Sequence, residues 1–192
     1  MKPLKESFIK AKDLDKLNKN KYVLTEKTAD WDGHILHRIQ ALKNIPSKKV
    51  KKGDLGGWVE SYNNLDQKGD CWIANNAEVY GNAKVYDDAE VYNDAEVFGN
   101  TKVYGNAKVY DNAKVFDNAE VYDNAQVYGD VEVYDDAEVY DNAKVYGFAS
   151  IYNYAKVYDY ALVYEYASVF GTAKVCGTAE VDYDINKGTV DK

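Results

Sequence analysis

The dominant feature of this sequence is a six-residue period that runs without interruption from residue 77 to residue 178. Seventeen consecutive units such as AEVYGN, AKVYDD and AEVYDN share the same order of small, polar, β-branched and aromatic residues, followed by two turn-forming residues. CWIANN and AEVDYD are degenerate units before and after the array. A fixed short period of this length predicts one elongated, stacked array instead of separate globular cores.

Within each unit the apolar residues lie two positions apart, which is the spacing of a β-strand and not of a helix. Ala77 and Val79 therefore share one face, and Glu78 and Tyr80 share the other. We predict that the Ala–Val face is the interior, because its size hardly varies and the opposite face carries a charge in most units. Tyrosines, phenylalanines and charges then line the outside.

The last two residues of each unit are typical of turns. The first of them is nearly always Gly, Asp or Asn, the residue types that best tolerate left-handed backbone. Because the units repeat head to tail without mirror symmetry, we expect the chain to coil instead of forming hairpins. Left-handed backbone is predicted at these turn positions: Gly81, Asn93, Gly105, Asp111, Asp123 and Gly129.

An aliphatic residue with a small residue four positions on, as in Val79 to Ala83 and Val85 to Ala89, resembles the left-handed β-helix family of hexapeptide-repeat proteins. HILHRIQAL, VKKGDLGGWVES and GDCWI resemble the head segment of members common in bacteria and their prophages, which are often assigned as acyltransferases. The resemblance implies an all-β fold, a single-stranded left-handed parallel β-helix of about six coils with three units to a coil. Its winding sense opposes the general right-handed preference.

The chain is predicted to have three parts. Residues 1–70 form a basic N-terminal cap, with a short amphipathic helix over residues 3–19 and a β-hairpin. The hairpin strands are expected at 21–28 and 34–42, flanking a turn over 29–33. Residues 71–184 form the acidic β-helix, and residues 185–192 a C-terminal tail. Such a cap would cover the free backbone edge of the first coil.

Charge is divided unevenly along the chain. Residues 1–70 carry 15 Lys and Arg against 10 Asp and Glu, whereas residues 71–184 carry 7 Lys against 21 Asp and Glu. An acidic rod repels nucleic acids and membrane surfaces. We therefore expect no membrane contact and only weak nucleic-acid contact, through a solvated lysine loop after Pro46 that contains Lys48, Lys49, Lys51 and Lys52.

Cysteines and the N-terminal sequence indicate the compartment. Cys71 and Cys176 lie near opposite ends of the array, too far apart for a disulfide, so both are predicted to be free thiols. The segment MKPLKESFIKAKD lacks the apolar core of a secretory signal. A cytoplasmic location is expected.

Catalytic chemistry has little support in the sequence. Enzymes of the resembling family typically use a histidine base and a loop that projects from a coil, and residues 77–178 contain neither. His34 and His37 lie three apart on a predicted strand, so they face opposite sides and make a poor metal pair. We assign no catalytic residue, metal or cofactor. An acyltransferase-like enzyme is the alternative, because the fold favours that class.

The outer surface departs from the repeat near its C-terminal end. Four aromatic residues replace the Asn or Asp that ends earlier units, and Leu162 stands where Lys or Glu is usual. An aromatic surface with few charges indicates a contact site. We predict a non-catalytic binding or scaffold protein that contacts a protein partner or itself, with a homotrimer implied by the resemblance, through an aromatic belt of Phe148, Tyr154, Tyr160 and Tyr166.

An acidic band precedes the belt, and it supports a second alternative. The band could mimic a phosphate backbone and inhibit a host nucleic-acid-binding protein. Its residues are Asp130, Glu132, Asp135, Asp136, Glu138 and Asp141.

The repeat also predicts aromatic ladders along the outside of the rod. If three units make one coil, every third unit lies on the same face, and the outward aromatic residues form three ladders that begin at Tyr80, Tyr86 and Tyr92.

Overall fold

The computed structural model describes residues 20–192, and the helix predicted over residues 3–19 lies outside the described residues. The described chain winds into a parallel β-solenoid with three sheets as its faces. Each face contains strands from seven successive turns of the chain. The predicted all-β architecture of parallel stacked coils is confirmed.

The faces are numbered in the order in which the chain visits them after residue 77. Face 1 has nine strands in the spatial order β1 (Tyr22–Trp31), β2 (His34–Ala41), β3 (Leu55–Val59), β5 (Glu78–Val79), β8 (Glu96–Val97), β11 (Lys114–Val115), β14 (Glu132–Val133), β17 (Ser150–Ile151) and β20 (Ser168–Val169). Face 2 has seven strands, β6 (Lys84–Val85), β9 (Lys102–Val103), β12 (Glu120–Val121), β15 (Glu138–Val139), β18 (Lys156–Val157), β21 (Lys174–Cys176) and β23 (Thr189–Asp191).

Face 3 also has seven strands, β4 (Trp72–Ile73), β7 (Glu90–Val91), β10 (Lys108–Asp111), β13 (Gln126–Gly129), β16 (Lys144–Val145), β19 (Leu162–Val163) and β22 (Glu180–Val181). A single 3-10 turn spans Pro46–Lys48 within the described part. The corner after face 1 begins at Gly81, the corner after face 2 at Asp87 and the corner after face 3 at Asn93.

The core is a narrow column of alanine and valine side chains. Both inward residues of each repeat are fully buried, as Ala119 and Val121 illustrate at the centre of the rod. The prediction that the Ala–Val face is the interior is confirmed. Thr101 and Val131 occupy the alanine position and are equally buried, and the Thr101 hydroxyl donates to the Phe98 carbonyl at 2.7 Å. The corner therefore accepts a β-branched side chain in place of alanine.

Successive turns are in strict register. Val121 pairs with Val103 on one side and Val139 on the other, so residues eighteen apart lie directly above one another. Backbone amides donate to the next turn, as from Glu120 to the Ala137 carbonyl at 2.9 Å. Each outward side chain therefore has the same-position residue of the neighbouring turns beside it.

The corners use left-handed backbone at the fifth position of each unit. All six turn residues predicted from the sequence have positive φ, which confirms that prediction. The other occupants are also Gly, Asp or Asn, with the exception of Glu165, whose φ is 56°. Glutamate has no short polar side chain to stabilise this conformation, so Glu165 introduces local strain.

Replacing Glu165 with asparagine is expected to raise the free energy of unfolding by about 0.5–1 kcal/mol, because asparagine tolerates left-handed backbone better. Urea denaturation followed by circular dichroism measures the change. Asp159→Asn is the matched control, since Asp159 already has a tolerant side chain at φ 58°. An equal or lower stability of the Glu165 variant would show that its backbone carries no such strain.

The N-terminal hairpin adds two antiparallel strands to the first edge of face 1. β2 pairs with both β1 and β3, and β3 begins the parallel stack. The predicted five-residue turn over 29–33 is wrong, because Ala29, Asp30 and Trp31 pair with the returning strand. Asp32 and Gly33 alone make the turn, both with positive φ, which is the two-residue form that an Asp-Gly pair favours.

Buried polar contacts fasten the hairpin to the first coils. Lys21 is only 5% exposed, and its ammonium donates to the Cys71 carbonyl at 2.8 Å and lies 3.0 Å from the Cys71 sulfur. The Tyr22 hydroxyl donates to the Leu65 carbonyl at 2.6 Å. Burial raises the pKa of the Cys71 thiol. Cys71 and Cys176 are both free thiols, as predicted, and the structure shows both to be buried.

Two further segments contact the rod. The prediction of a solvated lysine loop is wrong for Lys48, whose ammonium donates to the Asp88 carbonyl at 2.6 Å and lies 3.6 Å from Glu90. Lys48 ends the 3-10 turn, whereas Lys49, Lys51 and Lys52 of the same loop are exposed. Residues 185–192 lie outside the hexapeptide register, yet Ile185 bridges to Val169 and β23 pairs with β21.

Candidate contact surface

Aromatic ladders run along the three faces. Neighbouring rings are stacked with centroids between 4.7 and 5.4 Å apart and planes within 11° of parallel. The three ladders predicted from the sequence are confirmed, and they begin at Tyr80, Tyr86 and Tyr92. Partial burial raises the pKa of Tyr92 and Tyr110 to about 12.

Polar ladders run along the corners between the faces. At the corner after face 1, side-chain amides donate from Asn82 to Asn100 at 3.0 Å, from Asn100 to Asn118 at 3.0 Å and from Asn118 to Asp136 at 3.2 Å. The corner after face 2 has a similar chain from Asn106 through Asn124 to Asn142. Asn and Asp therefore have a structural role at the corners, in addition to their tolerance of turns.

Each corner ladder ends at a residue of the aromatic belt. Tyr154 follows Asp136, Tyr160 follows Asn142, and Phe148 follows Asp130 in the eighteen-residue register. The belt side chains are the most exposed aromatics of the repeats, with Phe148 52%, Tyr154 64%, Tyr160 65% and Tyr166 73% exposed. The ladder tyrosines of the faces are only partly exposed. At the belt, exposed aromatic rings therefore occupy the positions where earlier turns have Asn and Asp side chains that form hydrogen bonds between turns.

The belt encircles the rod instead of forming one flat patch. Phe148 and Tyr166 share the corner after face 3 and stack with centroids 4.9 Å apart. Tyr154 and Tyr160 stand at the other two corners. Leu162 is half-buried on face 3, in register between Lys144 and Glu180. Among the four aromatic residues of the belt, the structure thus stacks Phe148 on Tyr166.

Charge is sparse around the belt. On face 1 the outward column changes from Glu132 to Ser150 and then Ser168. On face 2 Lys156 is already paired with Glu138 at 2.8 Å. Residues 146–170 contain three charged side chains, Lys156, Asp159 and Glu165, whereas the 25 residues before them contain eight.

The acidic band circles a single turn of the rod just before the belt. Most of its carboxylates accept hydrogen bonds within the rod. Asp136 accepts from Asn118, Asp135 accepts from Asn153 at 2.8 Å, and Glu138 accepts from the Tyr122 hydroxyl at 3.0 Å. A phosphate backbone is a continuous line of charge. The band runs around the rod, and its role as a mimic stays a prediction.

The two histidines have separate local partners. The Nδ1 atom of His34 lies 3.0 Å from Glu60, which also accepts from the Gly81 amide at 2.8 Å. The hydrogen bond from His34 lowers the pKa of Glu60. His37 Nδ1 lies 3.2 Å from the Thr25 carbonyl. Residues 20–192 contain no group of three His, Cys, Asp or Glu residues placed to hold a metal ion.

Glu78 is a site that the sequence analysis missed. It lies in register between Trp58 and Glu96 on face 1, and its Oε2 atom is buried without a hydrogen-bond partner among the described residues. Burial, and then the charges of Glu96 and Asp94, raise the pKa of Glu78 to about 7. The signal was present in the sequence as two acidic residues eighteen apart, which stack in this fold.

Replacing Glu78 with glutamine is expected to stabilise the protein at pH 8 by about 1 kcal/mol, allowing for solvent screening of a half-buried carboxylate. A raised pKa means that the protonated form is favoured on folding. Protonated Glu78 therefore contributes to the free energy of unfolding fully below its ordinary pKa of 4.5, and this contribution is lost as pH rises through about 7. Urea midpoints at pH 5 and pH 8 test this, with exposed Glu132→Gln as control. A pH-independent gain would contradict it.

A scan against models of protein families found no match, and a search among curated proteins found no similar sequence. No helix within residues 20–192 has the length and apolar character needed to cross a membrane.

Proposed function

We propose that this chain is a non-catalytic binding or scaffold rod whose contact surface is the aromatic belt. The observation that carries the proposal is the exposure of Phe148, Tyr154, Tyr160 and Tyr166 at corner positions where the other turns of the repeat carry mostly bonded Asn or Asp. Exposed rings cost solvation free energy that hydrogen-bonded corners avoid. A protein surface that removes these rings from water recovers that free energy.

The chemistry of the belt suits a protein partner. Tyrosine and phenylalanine are enriched at the centres of protein interfaces, where a few buried aromatic anchors supply most of the binding free energy. The stacked turns hold these rings on rigid backbone, so little ordering is needed on binding. We expect the fold not to depend on the belt rings, because Asn or Asp occupies the same position in the first eleven repeats.

The test replaces Phe148, Tyr154, Tyr160 and Tyr166 together with asparagine. We expect unchanged circular dichroism, because asparagine is the usual residue at these corners. Self-association in sedimentation velocity, and capture of protein partners on immobilised rod, are expected to weaken at least about 30-fold, the equivalent of one interface hot spot.

The matched control is Tyr183→Asn, which removes a 53% exposed tyrosine outside the belt. It should leave sedimentation and capture as in the unmodified protein. Sedimentation and capture that are the same for the belt variant and for the unmodified protein would refute the proposed contact surface.

A further inference from the structure

Face 2 has a block pattern of charge that the other faces lack. Its outward column reads, turn by turn, Lys84, Lys102, Glu120, Glu138, Lys156 and Lys174, with each residue in register with the next. Two lysines, two glutamates and two lysines thus follow one another along the rod. The column of face 1 is mainly acidic and then uncharged, and that of face 3 mixes both signs with Gln126 and Leu162.

We propose that a second copy of the chain is the partner at this part of the belt, packed antiparallel with face 2 against face 2. This inference rests on the proposed function. A two-fold axis between the turns of Glu138 and Lys156 makes the contact self-complementary. Glu138 of each copy then faces Lys156 of the other, and Glu120 faces Lys174, so four pairs of opposite charge form.

The block pattern makes the register specific. Turns are spaced about 4.8 Å apart, so sliding one copy by a single turn moves the two-fold axis by half a turn. Sliding by one turn places Lys156 against Lys156, or Glu138 against Glu138, at the axis and leaves two pairs of opposite charge in place of four, which is less favourable. Sliding by two turns in one direction makes every pair a like-charge pair, Lys102 against Lys156 among them.

One other register also pairs opposite charges, with the axis between Lys102 and Glu120. It would use Lys84 and Lys102, and it would place the belt tyrosines at the rim of the contact. The register centred between Glu138 and Lys156 instead places Tyr154 and Tyr160 half a turn from the axis, about 2.4 Å along the rod. Burial of the exposed rings selects this register.

The corners beside face 2 are also complementary in this arrangement. The two-fold axis lies between the two faces and runs perpendicular to the rods. Each corner beside face 2 therefore lies against the same corner of the second copy. Tyr154 of one copy then lies beside Asp136 of the other, and its hydroxyl can donate to that carboxylate. Tyr160 lies beside Asn142. Acidic and amide corners of one rod thus meet the belt of the other.

The existing ion pairs within each rod are compatible with this contact. Lys102 lies 2.6 Å from Glu120, and Lys156 lies 2.8 Å from Glu138. These side chains remain partly exposed, with Lys156 37% and Glu138 29% accessible. Each glutamate can therefore accept from a lysine of the second copy on its outer side, which extends the pair into a network.

Phe148 and Tyr166 are not used by this contact. They share the corner after face 3, on the far side of the rod from face 2, and stay exposed in the dimer. Tyr154→Asn combined with Tyr160→Asn should therefore dissociate the dimer, and Phe148→Asn combined with Tyr166→Asn should not. This comparison separates two halves of the belt with matched substitutions.

The decisive experiment is a charge exchange measured by size-exclusion chromatography with light scattering on the full chain. The unmodified protein should form a dimer of twice the 21.7 kDa chain mass. Lys156→Glu with Lys174→Glu should weaken the dimer at least about 100-fold, since like charges then oppose at four positions. Lys84→Glu with Lys102→Glu is the matched control of equal charge and should remain dimeric.

Glu120→Lys with Glu138→Lys should also be monomeric alone. Mixed with the Lys156 and Lys174 variant, it should restore a dimer that contains one chain of each kind, because every facing pair is again opposite. Circular dichroism confirms that each variant is folded. A trimer, a dimer that survives the Lys156 and Lys174 changes, or a mixture that stays monomeric would overturn the antiparallel arrangement.

The same variants distinguish a wrong antiparallel arrangement from a wrong proposed function. If the full belt variant loses association while the Lys156 and Lys174 variant remains dimeric, the belt is a contact surface and the antiparallel arrangement is wrong. If the full belt variant retains all association and capture, the proposed function is wrong as well.

Discussion

Replacing Val121 with aspartate is expected to lower the free energy of unfolding by about 4 kcal/mol or more, and to unfold the central turns. Val121 is fully buried and lies between Val103 and Val139 in the interior column. A carboxylate there has no cation within the rod to pair with, because the inward positions are alanine, valine and similar residues. The loss of the valine methyl contacts adds to the penalty.

The measurement for Val121→Asp is urea denaturation followed by circular dichroism. Lys144→Asp is the matched control, because it introduces the same side chain at an exposed outward position of a central turn. The control should change stability by less than about 0.5 kcal/mol. A stable Val121 variant would mean that the inward and outward positions have been assigned to the wrong sides.

Replacing Tyr122 with alanine is expected to cost about 2–3 kcal/mol, because the ring stacks on both sides and also makes a hydrogen bond. Its neighbours are Tyr104 at 4.9 Å and Tyr140 at 4.8 Å. Its hydroxyl donates to Glu138 at 3.0 Å. Alanine would interrupt one aromatic ladder at its centre and leave Glu138 with one donor fewer.

Tyr122→Phe separates the two contributions. Phenylalanine retains both stacks and removes only the hydroxyl, so it should cost about 0.5–1.5 kcal/mol, the usual net value of a hydrogen bond. Stability of the phenylalanine variant equal to that of the alanine variant would show that the stacked rings contribute nothing beyond the hydroxyl.

The periodic part of the fold could be predicted because the same local rule is repeated in every unit. Alternation at two-residue spacing separates Ala119 and Val121 from Glu120 and Tyr122. The turn chemistry of Gly, Asp and Asn then fixes where the chain bends. The aromatic ladders follow from three units to a turn, which came from the resemblance and is confirmed by pairing between residues eighteen apart.

The N-terminal cap could be predicted only in outline, because its sequence has no repeat that would show the same local pattern several times. The sequence around Ala29–Gly33 contains several turn formers, and pairing with β2 decided that Asp32 and Gly33 alone make the turn. Lys48 appeared to be one of four equivalent lysines, yet only tertiary geometry brings its ammonium to the Asp88 carbonyl. Such long-range contacts leave no local signature.

The belt was identifiable from the sequence as a departure from the repeat. Its distribution was less evident, because only the turn register shows Phe148 and Tyr166 at one corner and Tyr154 and Tyr160 at the others. Glu78 was missed for a related reason. Its buried oxygen depends on Trp58 from the head and on Glu96 from the next turn, and neither is a sequence neighbour.

Site-specific photo-crosslinking determines whether the belt is the surface by which this rod contacts protein. Benzoylphenylalanine placed at Tyr160, and at Tyr183 as the exposed control, is irradiated in the otherwise unmodified chain. We expect a discrete covalent adduct from position 160 and none from position 183. No adduct from position 160, or equal adducts from both positions, would contradict it.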